Sequence, residues 1–192
     1  SITGTTASSG GVISNDGGAS VTARGVVWGT STGPTISGSK TSDGTESGNF
    51  TSSLTSLTQI TTYYVRAYAT NSAGTAYGAE VSFTTTAVVP TLSSTTSVSS
   101  ITLTTASSGG VISNDGGASL TERGVVWGTS TGPTISGSKT SDGTEPGTFT
   151  SSLTSLTPST TYYVRAYATN SVGTGYGTEV SFPTSPAVVP TL

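Results

Sequence analysis

Hydrophobic and polar side chains alternate with a period of two along much of the chain. In the segment YYVRAYAT, Tyr63 and Val65 fall on one face while Tyr64 and Arg66 fall on the other, and AEVSFTT from Ala79 alternates in the same way. Thr, Val and Ile, which favour extended backbone, dominate these segments. No window combines a helical apolar stripe with capping residues. The pattern therefore predicts an all-β protein.

Turn signals divide the chain into short, evenly spaced strands. NDGG begins at Asn15, TGP at Thr32, SDGTE at Ser42 and NSAG at Asn71. Short strands separated by turn signals about every 8–12 residues are typical of β-sandwiches of ~100 residues. We therefore expect one β-sandwich for each stretch of this length.

The chain contains two copies of one unit. ITGTTASSGGVISNDGGAS from Ile2 returns from Ile101 with one change, and RGVVWGTSTGPTISGSKTSDGTE from Arg24 returns unchanged from Arg123. Self-similarity at a fixed spacing indicates tandem structural repeats. We predict a first repeat over 1–86 that lacks its first strand segment, a complete repeat over 87–186, and the start of a further repeat over 187–192.

One local pattern suggests a family. The segment LTPSTTYY, from Leu156 to Tyr163, resembles the L-x-P-x-T-x-Y corner of fibronectin type III domains. The resemblance implies that Tyr162 opens a strand and hydrogen-bonds back to the backbone of the corner. The first copy departs from the pattern, with Gln59 and Ile60 in place of Pro and Ser. The fold class that follows is two tandem seven-stranded fibronectin III/Ig-like β-sandwiches.

The repeats as a whole are similar to Thr- and Gly-rich fibronectin-type repeats of bacterial surface proteins, on the segments GGVISNDGGA, RGVVWGT and TTYYVRAYATNS. This resemblance implies an extracellular, bacterial location. RGVVWGT carries Trp28 and Trp127 on what we interpret as the third strand, whereas the better-known animal domains carry Trp on the second. We expect both indole rings to pack in the core rather than to form a ligand platform.

Composition and charge exclude several classes of function. Charged residues make up 8% of the chain, and the six basic residues are spread singly at a net charge of −3. Nucleic-acid surfaces need clustered Lys and Arg, so we expect no such partner. No apolar run approaches the ~18 residues of a membrane span. Cys, His and Met are absent, so Ser–His and Cys–His relays are excluded, and we expect neither an enzyme nor a cofactor.

Alternation along the strand after the corner predicts one outward-facing aromatic and cationic surface in each copy. Aromatic rings beside Arg can stack on a sugar or on a partner chain. In the alternative interpretation, each Arg simply covers a Tyr ring of its own surface. The residues of these two possible binding faces are Tyr64, Arg66, Tyr68, Tyr163, Arg165 and Tyr167.

Loop carboxylates offer a second candidate site. Ca²⁺ needs six to eight oxygen ligands, so two or three carboxylates could hold it only where separate loops meet. NDGG is also a typical tight turn, and this is the interpretation we prefer. The candidate ligands are Asp16, Asp43 and Glu46 in the first copy and Asp115, Asp142 and Glu145 in the second.

These patterns favour a structural or adhesive module of an extracellular stalk or filament, with neighbouring repeats or copies of the chain as partners. The alternative is a carbohydrate-binding accessory module of a secreted protein. The ends allow two hypotheses, either a piece cut from a longer array or head-to-tail strand donation between chains. In the second, the donated strand would be the hexapeptide Ala187, Val188, Val189, Pro190, Thr191 and Leu192.

Overall fold

The structure, a computed structural model, describes residues 1–187. The chain divides into a first unit, Ser1–Ala87, and a second unit that begins at Val88. We call them unit 1 and unit 2 and describe each by itself. All regular structure in the described part of the chain is β-strand, as the two-residue periodicity predicts.

Unit 2 is a complete sandwich. Its strands are β8 (Thr91–Ser99), β9 (Ala106–Asn114), β10 (Glu122–Gly128), β11 (Ser138–Lys139), β12 (Gly147–Leu153), β13 (Thr161–Thr169), β14 (Thr174–Tyr176) and β15 (Val180–Pro183). One sheet has the order β12-β9-β8, and the other has the order β11-β10-β13-β14, with β15 also paired to β13. Because β14 and β15 are two parts of one edge strand, the sandwich has seven strands and the fibronectin III/Ig-like fold.

Unit 1 repeats this arrangement with one difference. Its strands are β1 (Ala7–Ile13), β2 (Ala23–Gly29), β3 (Ser39–Lys40), β4 (Gly48–Leu54), β5 (Thr62–Asn71), β6 (Gly74–Tyr77) and β7 (Val81–Thr84). The larger sheet is the same as in unit 2, with the order β3-β2-β5-β6 and β7 also paired to β5. The smaller sheet contains β1 and β4 alone. In unit 2 the strand β9, which is equivalent to β1, pairs with β8 on its other side. Among the described residues, no strand takes this place beside β1.

Each unit packs its own core between the two sheets. The alternating residues of the strands supply this core, with Val125, Leu153 and Val164 fully buried in unit 2. Trp28 and Trp127 are partly buried and pack against the cores of units 1 and 2. The indole rings therefore contribute to packing, as the sequence predicts.

The tyrosine corner is present in both units. The backbone N–H of Thr58 donates to the Tyr63 hydroxyl oxygen at 3.0 Å, and that of Thr157 donates to the Tyr162 hydroxyl at the same distance. The replacement of the corner Pro does not prevent the contact in unit 1. The residue after this position is left-handed in both units, at φ +48° for Ile60 and +51° for Ser159, and β-branched residues such as Ile rarely adopt this conformation.

Candidate functional site

A groove runs along the open edge of the smaller sheet in unit 1. It consists of two adjoining cavities of about 310 and 190 Å³ that share Ile13, Asn15, Ala69 and Ala76 in their linings. We call this the unit 1 groove. Ile13, Ala67 and Ala69 contribute apolar side chains to a lining that also contains polar residues, and one wall is the edge of β1, where Val12 is 68% exposed.

In unit 2 the equivalent groove is filled by the segment that leads into β8 and by β8 itself. The Val88 N–H donates to the Gly116 carbonyl at 2.9 Å, and the Asn170 side-chain amide donates to the Val88 carbonyl at 2.7 Å. Farther along, the backbone N–H of Ala166 donates to the Thr95 hydroxyl at 2.9 Å. The strand is therefore held at several points by main-chain and side-chain hydrogen bonds.

Burial shows what this strand covers. Ala166 and Ala168 are fully buried and Ile112 is 3% exposed in unit 2. Their counterparts Ala67, Ala69 and Ile13 in unit 1 are all partly exposed. The unit 1 groove is thus the same surface as in unit 2 without the strand that covers it.

The two groove linings differ at three positions, where Val21, Ala73 and Ala76 of unit 1 correspond to Leu120, Val172 and Gly175, and the last of these affects the docked segment directly. Gly175 in β14 faces the segment that leads into β8 so closely that an added Cβ would lie 1.9 Å from the Pro90 carbonyl oxygen. Position 76 of unit 1, which pairs with Ala69 as Gly175 pairs with Ala168, is Ala. A methyl group therefore projects from unit 1 where unit 2 leaves room for a backbone carbonyl.

The predicted Tyr–Arg–Tyr faces do not form as expected. Tyr68 is 4% exposed and Tyr167 is fully buried, so the expectation that these two rings point into solvent is wrong. The segment after the short strand β3 or β11 covers them, and the phenol hydroxyls donate to the carbonyls of Thr41 at 2.8 Å and Thr140 at 2.6 Å. Only Tyr64 and Tyr163 of the predicted rings remain partly exposed.

The Arg residues of the same faces are engaged within their own units. Arg66 lies 4.1 Å from the centroid of the Tyr77 ring and donates from Nε to the Pro34 carbonyl at 2.7 Å. Arg165 makes the equivalent contacts with Tyr176 and Pro133 at the same distances. This geometry matches the alternative interpretation, in which each Arg covers a Tyr ring of its own surface. Each Arg lies over a Tyr of the edge strand and hydrogen-bonds to a loop.

The candidate calcium ligands do not come together. Asp16 and Asp115 accept the backbone N–H groups of Gly18 and Gly117 within the NDGG turns. The Asp142 carboxylate accepts the hydroxyls of two neighbouring side chains at 2.6 Å each, and Asp43 does the same in unit 1. Glu46 and Glu145 are exposed. Among residues 1–187, no three His, Cys, Asp or Glu side chains are placed to share a metal ion.

Sequence reasoning missed two structural contacts. Arg24 is 8% exposed, and its guanidinium donates to the carbonyls of Asp43 and Glu46 and lies over the Phe50 ring. Arg123 makes the equivalent contacts in unit 2. Each Arg therefore holds the loop that precedes β4 or β12. The identity of RGVVWGT in the two copies could have drawn attention to this Arg. The alternation of polar and apolar residues could not, because it does not show that a cation is buried.

The second missed contact is specific to unit 2. Lys139 Nζ lies 2.6 Å from the Glu122 carboxylate, and position 23 of unit 1 is Ala. The hydrogen bond and charge of Lys139 hold the pKa of Glu122 below its usual value, against a smaller effect of burial. Both side chains are partly exposed, so the pair contributes little to stability.

The proposed donor strand lies mostly beyond the described residues. Ala187 is described and exposed, whereas Val188, Val189, Pro190, Thr191 and Leu192 fall outside the described range. Between residues 1 and 187, no helix is long and apolar enough to cross a membrane.

Comparisons with known proteins give a likeness to solved structures alone. No protein-family model and no curated protein matches the sequence. Among solved structures, the chain is similar to the chicken CNTN1 FN1–FN3 domains, with a TM-score of 0.40 and 16% sequence identity. The match covers 85% of this chain, which spans 56% of that chain.

Proposed function

We propose that the chain is a non-catalytic structural module of a bacterial extracellular stalk or filament, built from tandem β-sandwich repeats that complete one another by strand exchange. One observation carries the proposal. The surface that β8 and the segment before it cover in unit 2 is present in unit 1, and its groove-lining residues differ only at Val21, Ala73 and Ala76. An open strand edge beside an apolar groove is a common site for the addition of a strand from another segment.

The remaining surface supports a structural role. Threonine hydroxyls pair with one another across strands, as in Thr70–Thr75 and Thr169–Thr174 at 2.8 Å. Arg66 is occupied by contacts within its own unit. Because these polar groups are already satisfied, the outer faces offer few convergent donors and acceptors for a small ligand.

Carbohydrate binding receives no comparable support. Sugar-binding platforms need exposed aromatic rings, and the burial of Tyr68 and Tyr167 removes two of the four rings that the sequence offered. Tyr64 and Tyr163, with partial exposure, are the rings that a glycan would have to use.

A peptide titration tests the proposal. The 14-residue peptide AVVPTLSSTTSVSS has the sequence of residues 87–100 and is added to the full chain labelled with ¹⁵N. We expect chemical-shift changes at Gly11, Ile13, Asn71 and Ala76, which line or border the unit 1 groove, and none with a scrambled peptide. The absence of any selective change at millimolar peptide would refute strand complementation.

Electron microscopy addresses the filament. The 192-residue chain at high concentration should form linear assemblies, because a head-to-tail contact that does not close into a ring propagates. Isolated particles at every concentration would contradict assembly by this chain alone.

A further inference from the structure

We infer that the unit 1 groove binds the hexapeptide Ala-Val-Val-Pro-Thr-Leu from residues 187–192 of a second copy of the chain, in the register that residues 87–92 adopt in unit 2, and that Ala76 limits the affinity. This inference rests on the proposed function and names its partner. The chain carries the hexapeptide twice, and the first occurrence already occupies the groove of unit 2.

The hexapeptide contains the groups that anchor the first part of this strand and the segment before it in unit 2. Val88 uses both its N–H and its carbonyl, with Gly116 and with Asn170. Pro90 is buried and needs no partner for an N–H that it lacks. Leu92 packs against the core of unit 2 and pairs with Ile112. The rest of the pairing between β8 and β9, from Ser94 to Ser99, and the hydrogen bond to the Thr95 hydroxyl lie beyond the hexapeptide.

The unit 1 groove presents the matching groups. The Asn71 side-chain amide donates to the Asp16 carbonyl at 2.7 Å. Asn170 makes the equivalent bond to Asp115 at 2.8 Å and uses its remaining N–H for Val88. An amide nitrogen has two N–H donors, so Asn71 is oriented by one and can give the other to an incoming carbonyl. Ile13 provides the apolar contact that Ile112 gives to Leu92.

Ala76 makes the contact imperfect. If the incoming Pro carbonyl took the position that it has in unit 2, it would lie about 1.9 Å from a Cβ at this site. The strand must therefore shift outward near its Pro, which weakens packing and hydrogen bonds on both sides. The affinity should rise when the methyl group is removed.

Sedimentation equilibrium of the full chain tests this inference with four variants. Deletion of residues 187–192 should abolish self-association. Ala76→Gly should tighten it by roughly tenfold or more, and Ala76→Val should weaken it by a similar factor, since overpacking costs of this size correspond to such changes in Kd. Ala79→Gly is the matched control, because Ala79 is exposed and lies outside the groove lining, and it should leave the Kd unchanged.

The results separate the inference from the proposed function. Association that requires residues 187–192 and strengthens with Ala76→Gly supports both. If the 14-residue peptide binds the groove but the chain shows no tail-dependent association, the inference is overturned and strand complementation stands. Association that survives the deletion, or that Ala76→Gly leaves unchanged, also overturns it. If neither the peptide nor the tail binds, both fail.

Discussion

The Gly175→Ala substitution tests the close approach of Pro90, just before β8, to the edge strand in unit 2. A Cβ at position 175 would lie 1.9 Å from the Pro90 carbonyl oxygen and 2.9 Å from its carbonyl carbon. Carbon–oxygen contacts are normally no closer than about 3.3 Å, so the backbone around Pro90 must move by more than about 1 Å. The added methyl therefore displaces a segment that helps to close the core.

The expected loss of stability has two opposing contributions. Overpacking of a well-packed site costs about 1–3 kcal/mol. Replacing Gly by Ala also restricts the unfolded chain, which returns about 0.4–1 kcal/mol. We therefore expect Gly175→Ala to lower the free energy of unfolding of unit 2 by roughly 1–2 kcal/mol.

Urea unfolding monitored by Trp fluorescence provides the assay. Each unit has one Trp, so a Trp28→Phe background leaves Trp127 as the reporter of unit 2. Gly128→Ala is the matched control, because a Cβ at Gly128 would meet no atom within 4 Å. The control gains only the unfolded-state effect and should unfold at the same or a slightly higher urea concentration. Equal midpoints for the two variants would refute the argument that a methyl group obstructs the strand.

Three further substitutions have defined outcomes. Tyr162→Phe removes the acceptor of the Thr157 N–H and should cost unit 2 about 1–3 kcal/mol in urea unfolding; no change would mean that water replaces the hydroxyl. Ile60→Gly relieves the φ of +48° and should stabilise unit 1 by about 1 kcal/mol, reported by Trp28 in a Trp127→Phe background; a loss would contradict backbone strain. Burial, with a smaller effect of the Glu122 charge, raises the pKa of Tyr167. The stabilisation of unit 2 that comes from this raised pKa is complete below the unfolded pKa of about 10 and declines as the pH rises above that value. Tyr167→Phe should therefore flatten the fall of the free energy of unfolding with pH, and an unchanged slope would exclude Tyr167 as the source of that fall.

The alternating pattern predicted the strands because each sandwich buries one face of each sheet. Tyr63 and Val65 lie in the core of unit 1, as their spacing indicates. The corner was expected for a different reason, since LTPSTTYY resembles the corner of fibronectin type III domains and the hydrogen bond of Tyr162 spans only five residues. Features fixed by short-range geometry were therefore accessible before the structure.

Alternation identified the face of Tyr68 but not what covers that face. The ring lies opposite the core, where a period of two predicts solvent, yet its hydroxyl reaches the carbonyl of Thr41, 27 positions earlier in the chain. The cover comes from the segment that follows the two-residue strand β3, and the sequence pattern does not fix the path of that segment. The same limitation concealed Arg24, whose partners lie 19 to 23 positions away.

The difference between Gly175 and Ala76 has a mechanical consequence for an assembly of this kind. In unit 2 the segment that fills the groove belongs to the same chain, so its docking is intramolecular and has a high effective concentration. A strand from a second chain must also overcome the lost translational and rotational freedom of association, estimated at 4–15 kcal/mol or more. The methyl group of Ala76 adds a steric cost to this weaker contact. Under load, a filament of such chains should therefore separate between chains before β8 leaves unit 2.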